Sequence, residues 1–315
     1  MRKGSVHLAF AVVLVVVTTT ATSPAQIGTS KKQINIREIT PEVFKRIDKL
    51  AHKGNVQAQT ALGLAYGFGA VVERNDIEAL RWFEKAARED EFAQYSLGVM
   101  YHEGRGTMKD DVAARKWFLK AAHQGNVKAQ FNLAVLFFNG QGGALDLPSA
   151  AKWFEISARQ GDIRAQTNLA LMYERGLGVP KDIDEAMKWL RKPADSGFAE
   201  AQRALGDLYL KEAGQDGDHH EAFAWLTKAA EQKDANAERE IGELLNHGHC
   251  MPVDAVGSYV WLKRAESAGD KQAAVRLQAL AAAMGPQELA EADRRLGQDT
   301  VQTSVQRDLA VHKER

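Results

Sequence analysis

Apolar positions along the chain recur at helical spacing and on a fixed lattice. The stretch KWFLKAAHQGNVKAQFNLAVLF, Lys116 to Phe137, returns as KWFEISARQGDIRAQTNLALMY from Lys152 and as AWLTKAAEQKDANAEREIGELL from Ala224. One column of the lattice is Leu62, Leu97, Leu133, Leu169, Leu205 and Ile241. The next residue is always small: Gly63, Gly98, Ala134, Ala170, Gly206 and Gly242. Four residues after the leucine column stand Tyr66, Tyr101, Phe137, Tyr173, Tyr209 and Leu245. Apolar residues at i and i+4 make one helical stripe, and the small residue at i+1 lets a second helix come close. These positions predict a helix A in each unit.

A second column predicts a helix B. All six tryptophans lie on it, Trp82, Trp117, Trp153, Trp189, Trp225 and Trp261, at a first interval of 35 residues and then four of 36. Seven residues before each Trp is an Asn or Asp (Asn75, Asp110, Asp146, Asp182, Asp218, Asp254). Such residues cap helix N-termini by accepting an orphan backbone N–H. Glu78, Glu185 and Glu221 follow three residues on, at capping-box spacing. Small residues stand three before each Trp, and small pairs such as Ala121–Ala122 follow it, so the tryptophan is expected to fill the gap between units. Turns such as GRG at 104–106 and GQG at 140–142 separate A from B. With no strand before them they read as helix-ending glycines, not phosphate loops.

Repeats of this length mark helical solenoids, in which each unit buries its apolar face only against its neighbours. The pattern AQ..LG.LY..G.G......A..W..KAA..G resembles the Sel1-like repeat, a relative of the tetratricopeptide repeat, over residues 54–269. In this alignment Asp90 and Lys233 replace an inter-unit Gly, and Pro193 interrupts the end of one helix B. The expected fold is all-α: an α-solenoid of about six helix-turn-helix repeats with a capping helix over 39–53 and capping helices over 270–297. The resemblance further implies a right-handed superhelix and service as a protein-interaction scaffold, often in exported or envelope-associated bacterial proteins. It implies no catalytic residue set. Cysteine-rich members of the family have been proposed to hydrolyse β-lactams or cell-wall precursors, but this chain has one cysteine and lacks their paired cysteines.

The first residues read differently from the repeats. Arg2 and Lys3 precede an apolar run, Leu8 to Val17, and then Ser23-Pro24-Ala25, as in a cleaved secretory signal over 1–25. An uncleaved N-terminal anchor is the competing reading, although the run is shorter than the roughly 20 residues a span needs. Residues 26–38 and 298–315 are too polar for an assigned structure. The expected location is periplasmic or secreted, with no membrane span once the signal is removed. Lysine plus arginine equals aspartate plus glutamate at 41 each, so no basic excess points to nucleic acid. A lone Cys250 leaves stability to packing.

The expected binding wall is the face of helix A opposite the leucine stripe. In the second unit it shows Phe92, Tyr95, Val99 and His102, and in the third Lys128, Phe131, Val135 and Phe138. From the fourth unit the face changes character, with Arg164, Thr167, Leu171 and Glu174, then Glu200, Arg203, Asp207 and Leu210, then Asn236, Arg239, Glu243 and Asn246. Aromatics on a wall not needed for burial suggest a groove for a partner's peptide or helix, anchored by Phe92, Tyr95, Val99, His102, Phe131, Val135, Phe138, Arg164 and Arg203. The alternative is that these side chains pack between neighbouring A helices. A metal at His247, His249 and Cys250, with His219–His220 nearby, is not expected, because the ligands crowd into one turn. No HExxH, GxSxG or phosphate-loop motif occurs, and no cofactor is expected. The functional reading is an exported scaffold for a protein or peptide partner. Its alternatives are a secreted host-interaction factor and a cell-wall or β-lactam hydrolase.

Overall fold

A computed structural model describes residues 40–69, 71–214, 219–248 and 252–298. The signal over 1–25, the segment 26–38, Asp218, His249, Cys250 and the tail from residue 299 lie outside the described residues. Among the described residues every regular element is a helix. These are α1 (Pro41–His52), α2 (Val56–Phe68), α3 (Asp76–Ala86), α4 (Glu91–Glu103), α5 (Asp111–His123), α6 (Val127–Asn139) and α7 (Leu147–Arg159). There follow α8 (Ile163–Arg175), α9 (Ile183–Asp195), α10 (Ala199–Ala213), α11 (His220–Glu231), α12 (Ala235–His247), α13 (Ala255–Ser267), α14 (Lys271–Ala283) and α15 (residues 286–298). The chain divides into two compact units, the first holding residues up to 172 with 176–180, the second residues 173–175 with 181 onward.

In the first unit α2 packs on α3, α4 on α5 and α6 on α7, with α1 closing the end against α2. The second unit repeats the scheme with α10 on α11 and α12 on α13, while α14 packs on α13. The even-numbered members α2 to α12 are the predicted A helices, and α3 to α13 the B helices. Members of the leucine column are at most 1% exposed, so this stripe is buried along its length.

The small residue beside each leucine receives a side chain that the sequence pattern does not single out. A Cβ added to Gly98 would lie 2.5 Å from the Phe118 ring, and at Gly63 the same construction meets Phe83 at 2.7 Å. In the second unit Gly206 faces Leu226 and Gly242 faces Leu262 in the same way. The hairpin is therefore filled by the residue after the tryptophan. Phe118 and Phe154 are at most 1% exposed; Trp82 and Trp225 are 5% exposed, and Trp117, Trp153, Trp189 and Trp261 are half-buried. Tryptophan therefore shares the filling with the residue after it, and is fully buried only at Trp82 and Trp225. Its ring also carries a lysine ammonium, as with Lys120 at 4.1 Å from Trp117 and Lys228 at 3.8 Å from Trp225.

The turns explain why the cap residues recur. Gly104 and Gly140 end α4 and α6 at φ of 71° and 64°, a left-handed backbone that glycine adopts without a Cβ clash. Asn75, Asp110, Asp146, Asp182 and Asp254 each accept from a backbone N–H in the first turn of a B helix. The capping boxes at Glu78 and Glu185 do not form, and the cap of the third, Asp218, lies outside the described residues. The backbone N–H of Asn75 donates to the Tyr66 carbonyl at 2.9 Å, and that of Asp182 to Tyr173 at 2.9 Å, leaving nothing for Glu78 or Glu185 to accept. These glutamates pair instead with Arg81 and Lys188 on their own helices. For α11 the residue before the helix is His219, which makes no side-chain cap bond.

Two departures from the repeat resolve differently from their sequence reading. Asp90 does not replace a glycine: it is the N-cap of α4, accepting from Phe92 and Ala93, in a turn one residue shorter than the others. That missing residue accounts for the 35-residue interval between Trp82 and Trp117. Pro193 does not end its helix, since α9 continues to Asp195 with Pro193 buried in the last turn. Lys233 does stand at the glycine position and adopts φ of 67°.

Consecutive hairpins are joined by a buried polar ladder. Gln59, Gln94, Gln130, Gln166 and Gln202 are 2–9% exposed. Each side-chain amide donates to a carbonyl in the last turn of the preceding B-type helix: Ala51, Ala87, Ala122, Ala158 and Ala194, at 2.9–3.2 Å. In three of these joints a second glutamine donates back to the first, Gln124 to Gln94, Gln160 to Gln130 and Gln232 to Gln202, at 2.7–2.8 Å. Buried amides need such partners, so the ladder fixes how one hairpin meets the next.

Candidate functional site

In the first unit the wall of A helices is largely closed by its own aromatics. Phe131 is 4% exposed, with the Phe154 ring 5.7 Å away and the Arg164 guanidinium 4.2 Å over its face. It is a core residue, not an open anchor. Tyr95 lies against Phe118 at 5.9 Å and Phe92 at 6.1 Å, and it is hydrogen bonded to Asn132. Burial raises the pKa of its phenol. Phe92 and Val99 pack partly onto the cores beneath them. Val135 and Phe138 remain half-exposed, and Lys128 is exposed. His102 turns away from this wall, its Nδ1 lying 2.6 Å from the Asp111 carboxylate at the start of α5. Thus Val99, Val135 and Phe138 stand at the surface, whereas Phe131 and most of Tyr95 serve the packing alternative.

In three of the six units the side chain two residues before the leucine column reaches the N-cap of the helix that opens the next pair. Thr60 donates to Asp90 at 2.6 Å in the first unit. In the second unit Arg203 meets Asp234 at 3.3 Å, and Arg239 meets Asp270 at 3.0 Å. Those aspartates also cap α12 and α14. The helix A caps Asn55, Asp90, Asn126, Asp162, Asp234 and Asp270 form a column that the sequence reading missed, although the Gly-Asn and Gly-Asp pairs at 54–55, 125–126, 161–162 and 269–270 carry it.

Around Arg203 and Arg239 the second unit carries a dense charge network. Arg203 also pairs with Asp207 at 3.0 Å, and Arg239 with Glu240 and Glu243 at 3.3 Å each. Burial works against the charge on both arginines, but the surrounding carboxylates outweigh it and raise their pKa values. Asp207 Oδ1 and Glu240 Oε2 are buried and meet no N–H. A proton shared between the two carboxyls satisfies both: burial, and then the neighbouring Asp207, push the Glu240 pKa upward. Beside them lies an open cleft of about 260 Å³ lined by Leu210, His219, Glu240, Glu243, Leu244 and His247. Glu240 was absent from the expected wall because it lies one residue before the Ile241 column.

Among the described residues no group of three or more His, Cys, Asp or Glu is placed to hold a metal ion. His247 Nδ1 lies 2.7 Å from the Glu243 carbonyl of its own helix. No described helix is long and apolar enough to cross a membrane.

Stacked helix hairpins with a paired A-helix wall define the class of helical repeat scaffolds. The Sel1 repeat profile matches six times, at residues 56–91, 92–126, 127–162, 163–198, 199–234 and 235–270, so the chain belongs to the Sel1 repeat family. Members of this family are generally non-enzymatic scaffolds for protein–protein interaction. A protective antigen present in uropathogenic Escherichia coli strains, displaying an SLR fold, is similar in structure at 28% identity and a TM-score of 0.74. That similarity covers 83% of this chain and 60% of the antigen's, so the chain spans about three fifths of that relative. A Sel1 repeat protein from Oxalobacter formigenes is similar at 31% identity and a TM-score of 0.63, over 72% of this chain and 96% of the other. No curated protein matches the chain.

Proposed function

We propose that the protein is an exported scaffold that takes a partner's peptide or helix on its A-helix wall. The observation that carries this reading is that Val99, Val135 and Phe138 on the A helices are half-exposed, although Val99 also packs partly onto the core beneath it. Arg164 lies with its guanidinium over Phe131 and pairs with Asp162 at 2.8 Å, so its charge is already partnered. Arg203 has its own carboxylate partners and acts chiefly in joining α10 to the next A helix. Export rests on the charged and apolar pattern of residues 1–25.

Replacing Val99 and Val135 by serine tests the wall. Helicity stays unchanged, because neither side chain is fully buried, and affinity for a selected peptide ligand falls at least about tenfold, the loss of one or two anchors. Unchanged affinity in the folded variant overturns the assignment. The similarity to a protective antigen favours a second reading, in which the partner is a host protein. Cell fractionation separates the two: recovery from culture supernatant supports the host-facing role, and periplasmic retention supports an envelope adaptor.

A further inference from the structure

Five of the six ladder positions are glutamine, and the sixth is Glu238, which is 6% exposed. The repeat register places the Ala230 carbonyl where Ala194 accepts from Gln202, eight residues earlier in the chain. An ionised carboxylate has no proton to donate, so two acceptors would oppose each other. A protonated one carries an O–H and reproduces the glutamine bond.

The same joint carries the chain's other departure. At the position held elsewhere by Gly125, Gly161, Gly197 and Gly269, with φ between 84° and 97°, Lys233 is held at 67°. A left-handed lysine is strained, yet it faces the one ladder position that is acidic. The charged groups acting on Glu238 are Arg264 from α13, Asp234 at the start of α12 and Lys233 from the turn, while α11 presents its C-terminal carbonyls.

We propose that the α11–α12 joint is a proton-operated latch: protonated Glu238 closes it as glutamine closes the others, and ionised Glu238 loosens it, altering how α12 presents its Arg239–Glu243 edge. Burial, offset by Arg264 and reinforced by Asp234, pushes the Glu238 pKa from 4.5 up to about 7. The opened joint restores the ordinary value. Closure is therefore strongest at acidic pH, weakens as pH rises from about 4.5 to about 7, and levels off above that.

Hydrogen exchange on the intact protein at pH 5 and pH 8, expressed as protection factors, tests the latch. In the wild type the amides of residues 232–238 should lose at least about tenfold in protection by pH 8, as linkage to a shift of this size requires. The glutamine-closed joint at 124–130 should hold constant, and Glu238→Gln should make 232–238 equally constant. A flat response in the wild type overturns the proposal. So does a decline that persists in Glu238→Gln, or one shared equally by residues 124–130.

Discussion

At the scale of single residues, stability is decided by close approach. The Gly98 Cα lies against Phe118, and an added methyl group would sit 2.5 Å from that ring. Gly98→Ala should cost about 1–3 kcal/mol, the usual penalty for overpacking, read as a drop in the urea midpoint with the m-value unchanged. Phe131→Ala should cost more, about 3–5 kcal/mol, because it empties a buried site. Were Phe131 a surface anchor, the variant would instead keep wild-type stability. The leucine column and its small neighbour were legible in the sequence because both recur at fixed spacing. Phe118 does not stand out in the sequence, because its column is Phe in the first three units and Leu190, Leu226 and Leu262 in the last three, beside an invariant Trp. Invariance marked a column whose burial varies, from Trp82 and Trp225 at 5% exposed to the half-buried other four, rather than the deepest contact.

At the scale of elements, the caps and the ladder set where helices start and how hairpins join. Asp146 caps α7 through Ser149, with bonds to both its N–H at 3.0 Å and its hydroxyl at 2.6 Å. Asp146→Ala should lower the denaturation midpoint, as loss of an N-cap does, whereas Glu185→Ala, which removes only an exposed pairing with Lys188, should leave it nearly unchanged. Guanidinium titrations of both variants check this order, and equal losses would revive the capping box. The element boundaries followed from the caps and glycines, since each cap is chemically distinct. The glutamine ladder escaped the sequence reading because a polar residue at a helical position reads as solvent-facing until its acceptor carbonyl is seen.

At the scale of the whole molecule, each hairpin buries its core only against neighbours, so stability depends on adjacent joints. The pH response follows from Glu238 and Glu240, both of which the folded chain holds protonated above the ordinary glutamate range. The unfolded chain releases those protons near pH 4.5, so stability should fall as pH rises from there toward neutrality. Thermal melts at pH 5 and pH 7.5 check the sign, and a melting point rising over that interval would contradict it. The solenoid class was legible because a repeat declares its own architecture. Only part of the site was, because a helical wheel separates the two faces of one helix but cannot show which side chains the next A helix covers. Thus Val99 and Val135 stand at the surface, whereas Phe131 lies beneath Arg164.

The central claim, that partners dock on the A-helix wall, is tested most directly by site-specific photo-crosslinking in the producing cell. A crosslinking side chain is placed at position 135 on α6 or at position 119, an exposed site on the B helix α5. The account predicts a discrete crosslinked protein from position 135 and none from position 119. Crosslinking from position 119 alone would contradict it and place the binding surface on the B helices.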